Sequence, residues 1–186
     1  MVSMAVVLEP KSFVIGLDGK ATYRPLDPGI HIDLSEMSFR VEPQQTHYVF
    51  YKAHADTLPA WFTVYAVFSP IQKNQGLNVR IMLPHTVYLY QKKPIDKEAI
   101  SISKAEYVAG SGAIACDVEN TSSSFVRVQE VRAVGDKASS LGSGFPLLPR
   151  STRHIEVPWS ETAPPSYLLF HFPHFDLKQP LSVRDQ

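Results

Sequence analysis

In almost every patterned stretch of this 186-residue chain, apolar residues recur at every second position. Met37, Phe39 and Val41 form one such set, Phe62, Val64, Ala66 and Phe68 another, and Leu77, Val79, Ile81 and Leu83 a third. A period of two describes a β-strand with one apolar face. No window carries a sustained 3.6-residue stripe with end caps, so helical bundles and alternating α/β folds are excluded. Fifteen prolines and polar turn clusters separate short strands, as in a sandwich protein. The sequence predicts an all-β chain of two Ig-like β-sandwich domains, because each half approaches the roughly 100 residues of such a domain. The polar, proline-broken segment Lys92 to Glu98 marks the boundary, giving domains 1–94 and 95–186.

The third set is the most demanding. Leu77, Val79, Ile81 and Leu83 are followed by Pro84 and then by a second apolar run, Val87 to Tyr90. Proline cannot donate to a sheet ladder, so Pro84 interrupts the strand and places it at a sheet edge or a bulge. A long apolar edge is an aggregation hazard unless something covers it. Further strands are predicted at Lys11 to Ile15, Ala21 to Arg24, Ile30 to Leu34, Met37 to Val41, Thr46 to Ala53 and Trp61 to Phe68. Leu17-Asp18-Gly19-Lys20 reads as a hairpin turn. In the second half the strands are Ile100 to Tyr107, Ala113 to Glu119, Phe125 to Ala133, Arg153 to Trp159 and Tyr167 to Phe172, with Gly142-Ser143-Gly144 as a flexible loop.

Eighteen basic and eighteen acidic residues give a formal net charge of zero, so nothing global draws the chain to nucleic acid or an anionic membrane. No apolar run nears the ~20 residues of a membrane helix. The opening MVSMAVVLEP lacks the basic start and apolar length of a secretory signal. The expectation is either a cytoplasmic chain or one whose true start lies elsewhere. Cys116 is the sole cysteine, which excludes an internal disulfide, and its alternation with Ile114 and Val118 reads as a small core residue. Phosphate-loop, dinucleotide, zinc-protease and serine-elbow motifs are all missing from the sequence. Only His85, His154, His171 and His174 hint at chemistry, and a metal needs three or four converging ligands. They read as exposed residues at strand ends. Asp117, Glu119, Glu130 and Glu156 read as solvated strand faces, Trp61 and Trp159 as core, and Arg150 and Arg153 as a surface turn. Lys92, Lys93 and Lys97 form a basic cluster too short for nucleic acid. The reading is non-enzymatic, with no cofactor and no metal.

Four motifs occur in a recognisable order. Phe39-Arg40-Val41-Glu42-Pro43-Gln44-Gln45-Thr46 is similar to "F-x-L-x-P-G-Q-S", and Leu58 to Pro70 to "L-P-x-E-x-x-F" running on to a proline. Asp117-Val118-Glu119-Asn120-Thr121 is similar to "V-x-N-T/P", and Gly144 to Trp159 to "L-x-P-x-S-x-R-x-x-x-L-P". Together, in this order from Phe39 to Trp159, they resemble the periplasmic pilus-assembly chaperones of the PapD-like family. The resemblance implies two Ig-like domains, a periplasmic location, and binding of pilin-like subunits that lack a strand, with an outer-membrane usher as a further partner. It implies that the last strand of domain 1 is donated to the subunit, which places Leu77, Val79, Ile81 and Leu83 in the subunit's groove. The family anchors the subunit's terminal carboxylate through an arginine in the first strand and a lysine late in the donor strand. Here Thr86 stands at the lysine position, and residues 1–10 supply no counterpart of the first strand, so domain 1 is expected to be incomplete at its N-terminus. The alternative is an Ig-like structural or adhesive module that forms a homodimer through the same strand.

Overall fold

The computed structural model describes residues 3–71, 79–91, 93–136 and 138–184, the last without its side chain. The chain is all-β and divides into two compact units, Met1–Val14 with Thr22–Tyr90, and Ile15–Ala21 with Gln91–Gln186.

The first unit holds β1 (Met4–Ile15), β2 (Ala21–Pro25), β3 (Ile30–Leu34), β4 (Ser38–Val41), β5 (Tyr51–Ala55), β6 (Ala60–Pro70) and β7 (Ile81–Leu89). One sheet has the order β2-β1-β6-β7, with β4 pairing the start of β1, while β3 and β5 form a second, two-stranded sheet. Val6 and Leu8 of β1, Ile30 of β3 and Phe62 and Val64 of β6 are the buried centre of this unit. The first strand begins at Met4, well before Lys11, because Val6 and Leu8 continue the two-residue period inward. The predicted hairpin turn forms at Gly16 to Lys20, where Gly19 adopts φ 76°.

Two departures from the sequence reading matter for function. The expected break at Pro84 is absent: β7 pairs with β6 without a gap from Ala60↔Leu89 to Phe68↔Ile81, with Pro84 opposite Tyr65. A residue without an N–H is tolerated there because β7 has a ladder neighbour on one side alone among the described residues. The predicted strand from Thr46 is shortened to Tyr51–Ala55. Gln45, His47 and Val49 line one cavity at alternate positions, but residues 45–49 have no ladder partner among the described residues, and the pairing with β3 runs out at the Ser35 N–H to Phe50 carbonyl bond.

The second unit holds β8 (Ile100–Val108), β9 (Ala113–Asn120), β10 (Val126–Val134), β11 (Ser139–Leu147), β12 (Ser151–Pro158), β13 (Tyr167–His171), β14 (Asp176–Pro180) and β15 (Ser182–Arg184). Its two sheets run β11-β10-β13-β14 and β12-β9-β8-β15, the last pair parallel. Between them lies a core that includes Ile114, Cys116, Val118, Val128, Val131, Leu147, Leu168 and Phe170. The Gly142-Ser143-Gly144 segment is part of β11, not a flexible loop. A Cβ on Gly144 would collide with the Gln129 carbonyl oxygen, so glycine there permits a close approach of two strands.

Candidate functional site

β7 is the edge of its sheet, and its residues from Ile81 to Thr86 are all exposed. Antiparallel pairing fixes which face each side chain takes. Ile81, Leu83, His85 and Val87 lie opposite Phe68, Ala66, Val64 and Phe62, and so share the core-facing side of the sheet. At the far end of that row the sandwich is not closed over them: Val79, Ile81 and Leu83 are 45%, 46% and 54% exposed. Val79 precedes the paired part of the strand, and Leu77 lies outside the described residues. Three of the four predicted aliphatics are therefore seen, and all three are accessible.

The open end is a cavity of about 550 Å³. Val64, Ala66 and Phe68 of β6 and Leu8 of β1 form its floor, Phe39 and Val41 of β4 one wall, and Leu83 to His85 of β7 another. The unpaired segment contributes His47 and Val49. Tyr51 Oη and His85 Nε2 lie 3.1 Å apart, a hydrogen bond that ties β5 to β7 and fixes where the sandwich begins to open. His47 stacks on Phe39 with ring centroids 4.1 Å apart while its Nε2 stands 2.6 Å from Glu36 Oε1. Neither histidine role is legible from spacing alone, because both partners are distant in sequence.

Thr86 is exposed on the opposite face of β7. It pairs with Thr63 of β6, which pairs with Lys11 of β1, so the cation on the same cross-strand row is Lys11. Its Nζ sits 3.1 Å from Glu9 Oε2. Arg80, just before β7, reaches the other Glu9 oxygen at 3.1 Å. Glu9 thus holds both cations of this region.

The remaining candidates lie elsewhere and build no site. Asp117 is not on a solvated face: it is buried, opposite His154 in the β9–β12 ladder. His154 Nδ1 stands 2.7 Å from one carboxylate oxygen and Lys104 Nζ 2.8 Å from the other. Lys104, at φ 51° where the β8–β9 register shifts, is aimed at Asp117 by that bulge. The Lys104 ammonium, and after it His154, hold the Asp117 carboxyl below its ordinary range. Glu119 and Glu156 are exposed, and Glu130 is bound to Arg132 at 2.7 Å. Arg153 belongs to β12 rather than a turn and lies over the Phe145 ring at 4.8 Å, whereas Arg150 is at the turn with φ 50°. Trp159 is buried and Trp61 partly so, its indole N–H donating to the Phe13 carbonyl at 2.8 Å. His171 Nδ1 is 2.7 Å from Asp176 Oδ1. Cys116 is fully buried, and burial, helped by the neighbouring Asp117 charge, pushes its thiol up to about 12. Among the described residues no group of three or more His, Cys, Asp or Glu could hold a metal, and no helix is long and apolar enough to cross a membrane.

The ordered motifs acquire physical content in this structure. Asn120 is fully buried; its Nδ2 donates to the carbonyls of Ser124 at 2.8 Å and Leu148 at 3.1 Å, and its Oδ1 accepts from the Ser122 N–H at 3.0 Å. It locks the end of β9 to the turn before β10 and to the segment after β11. Gln44 stands where the similar motif has glycine, and it adopts φ 64°.

An all-β chain of two units with one open apolar edge is the class of protein defined by these features. No protein-family model matches the chain, and no curated protein matches it by sequence. Solved structures match its fold. The class 5 fimbriae chaperone CfaA is 10% identical, with 97% of this chain and 87% of that chain covered at a TM-score of 0.51. The CupB2 chaperone of Pseudomonas aeruginosa is 15% identical, with the same 97% and 87% covered at a TM-score of 0.50. The chain has the fold of the PapD-like fimbrial chaperones.

Proposed function

We propose that this protein is a periplasmic, non-enzymatic chaperone for fimbrial subunits, and that it binds a subunit lacking a strand through the edge strand β7. The observation that carries this reading is the exposure of Val79, Ile81 and Leu83 at alternate positions along one open sheet edge. Main-chain bonds along such an edge supply affinity, and side chains at every second position supply specificity. The fold shared with CfaA and CupB2 supports the same reading. Thr86 takes the anchor position without a charge, so affinity rests on the aliphatic row and not on capture of a carboxylate by β7 itself.

Pull-down of a co-expressed fimbrial subunit tests the proposal. Ile81→Asp and Leu83→Asp place a charge where an apolar contact forms, and each should abolish capture. Both sites are exposed, so folded stability should change by no more than about 0.5 kcal/mol. Capture that survives both substitutions would sink donation through β7.

A further inference from the structure

An apolar cavity lies beside β7. Its volume of about 550 Å³ falls within the roughly 300–1,000 Å³ of sites that enclose a ligand. It lies between two stretches of backbone that lack ladder partners among the described residues: the outer side of β7 at Ile81 to His85, and residues 45–49. A strand that pairs along the free side of β7 continues the sheet, and its side chains alternate between the two faces with period two. Those opposite Ile81, Leu83 and His85 take the core-facing side, the side on which Ala66 and Phe68 line the cavity floor. The Tyr51–His85 hydrogen bond brings β5 up to β7 at the cavity's closed end, so such side chains enter a space with walls on both sheets.

We propose that this cavity is a specificity pocket that receives one or two bulky apolar side chains, at alternate positions, from a partner strand laid along β7. The inference rests on the strand-addition reading above and adds to it: the partner is recognised by what it inserts as well as by what it accepts. Leu8, Phe39, Val64 and Phe68 offer an apolar surface that suits an aromatic or branched aliphatic residue, and a charged or small residue gains nothing from it.

Fluorescein-labelled, lysine-flanked peptides of alternating threonine and valine, with one central valine replaced by alanine or phenylalanine, test the proposal by anisotropy against the full chain. The phenylalanine peptide should bind about tenfold more tightly than the alanine peptide. Ala66→Phe and, separately, Val41→Phe fill the cavity and should reduce that ratio to less than about twofold, with circular dichroism reporting the fold. Should both fail to fold, Phe68→Ala widens the cavity and should shift preference from a phenylalanine to a tryptophan peptide. Equal binding of the alanine and phenylalanine peptides overturns the pocket and leaves strand addition standing. Absence of binding by any peptide, or binding indifferent to Ile81→Asp, overturns strand addition and the pocket with it. A dimer detected by light scattering and lost in Ile81→Asp seats a second copy at the edge and also overturns the proposal.

Discussion

The two units obey the same alternating grammar and finish it differently. Among the described residues, seventeen buried side chains pack into one contiguous cluster in the second unit and five in the first, where most side chains packed against the cluster are only half-buried. The second unit closes two four-stranded sheets over its core. The first sets a five-stranded sheet against a pair of strands and leaves an open end at Leu83, Ala66 and Phe68. The apolar content is similar in kind, so composition does not distinguish a scaffold from a binding surface. What distinguishes them is whether the facing sheet extends far enough to cover the row.

This contrast can be broken most directly by truncating one phenylalanine in each unit. Phe170 is fully buried, and Phe170→Ala should cost about 3–5 kcal/mol. Phe68 lines the open cavity, and Phe68→Ala should cost under about 2 kcal/mol because its packing is already incomplete. Denaturant titration read by amide hydrogen exchange assigns each loss to its unit; equal losses would erase the distinction. Next in size is Asn120→Ala, which leaves the Ser124 and Leu148 carbonyls without their buried donor and should destabilise the second unit by about 2–3 kcal/mol.

A pH effect should appear in the second unit. Asp117 has a lowered pKa in the folded state, so its contribution to stability is full above the ordinary aspartate value of about 3.9 and fades as pH falls through the lower folded value. The melting-temperature difference between wild type and Asp117→Asn should therefore be largest near neutrality and shrink as pH falls below the ordinary aspartate range. A difference that persists in acid would show that packing, not charge, is what Asp117 supplies. The smallest effect belongs to the first unit. Gln44 is held at φ 64°, and Gln44→Gly should raise stability by about 0.5–1 kcal/mol without closing the cavity. A loss on that substitution would mean that the Gln44 side chain has a role of its own.

Much of this was legible in the sequence, since the strands at Ile30–Leu34 and across Trp61 to Phe68 follow from period two. The exposure of Val79, Ile81 and Leu83 was equally foreseeable from an apolar row that carries a proline. Alternation could not show which rows find a covering sheet. Thr46 to Val49 has the pattern of a strand, yet lacks a ladder partner among the described residues, because the pairing with β3 runs out at the Ser35 N–H to Phe50 carbonyl bond. Nor could it show that Gly144 is a point of contact rather than of freedom, because the Gln129 carbonyl it admits lies across a ladder. The same holds for Asp117: an acidic residue between apolar ones suggests a solvated face until His154 and Lys104 converge on it from neighbouring strands.

The burial of Cys116 has a practical consequence. With the Cys116 thiol fully enclosed and pushed up to about 12, the folded molecule carries essentially no thiolate near neutral pH, and this sulfur is shielded from oxidants. Only a chain whose second unit has opened can form a disulfide with another copy. A covalent dimer on a non-reducing gel therefore records past unfolding of that unit, which makes the single cysteine an internal witness to damage.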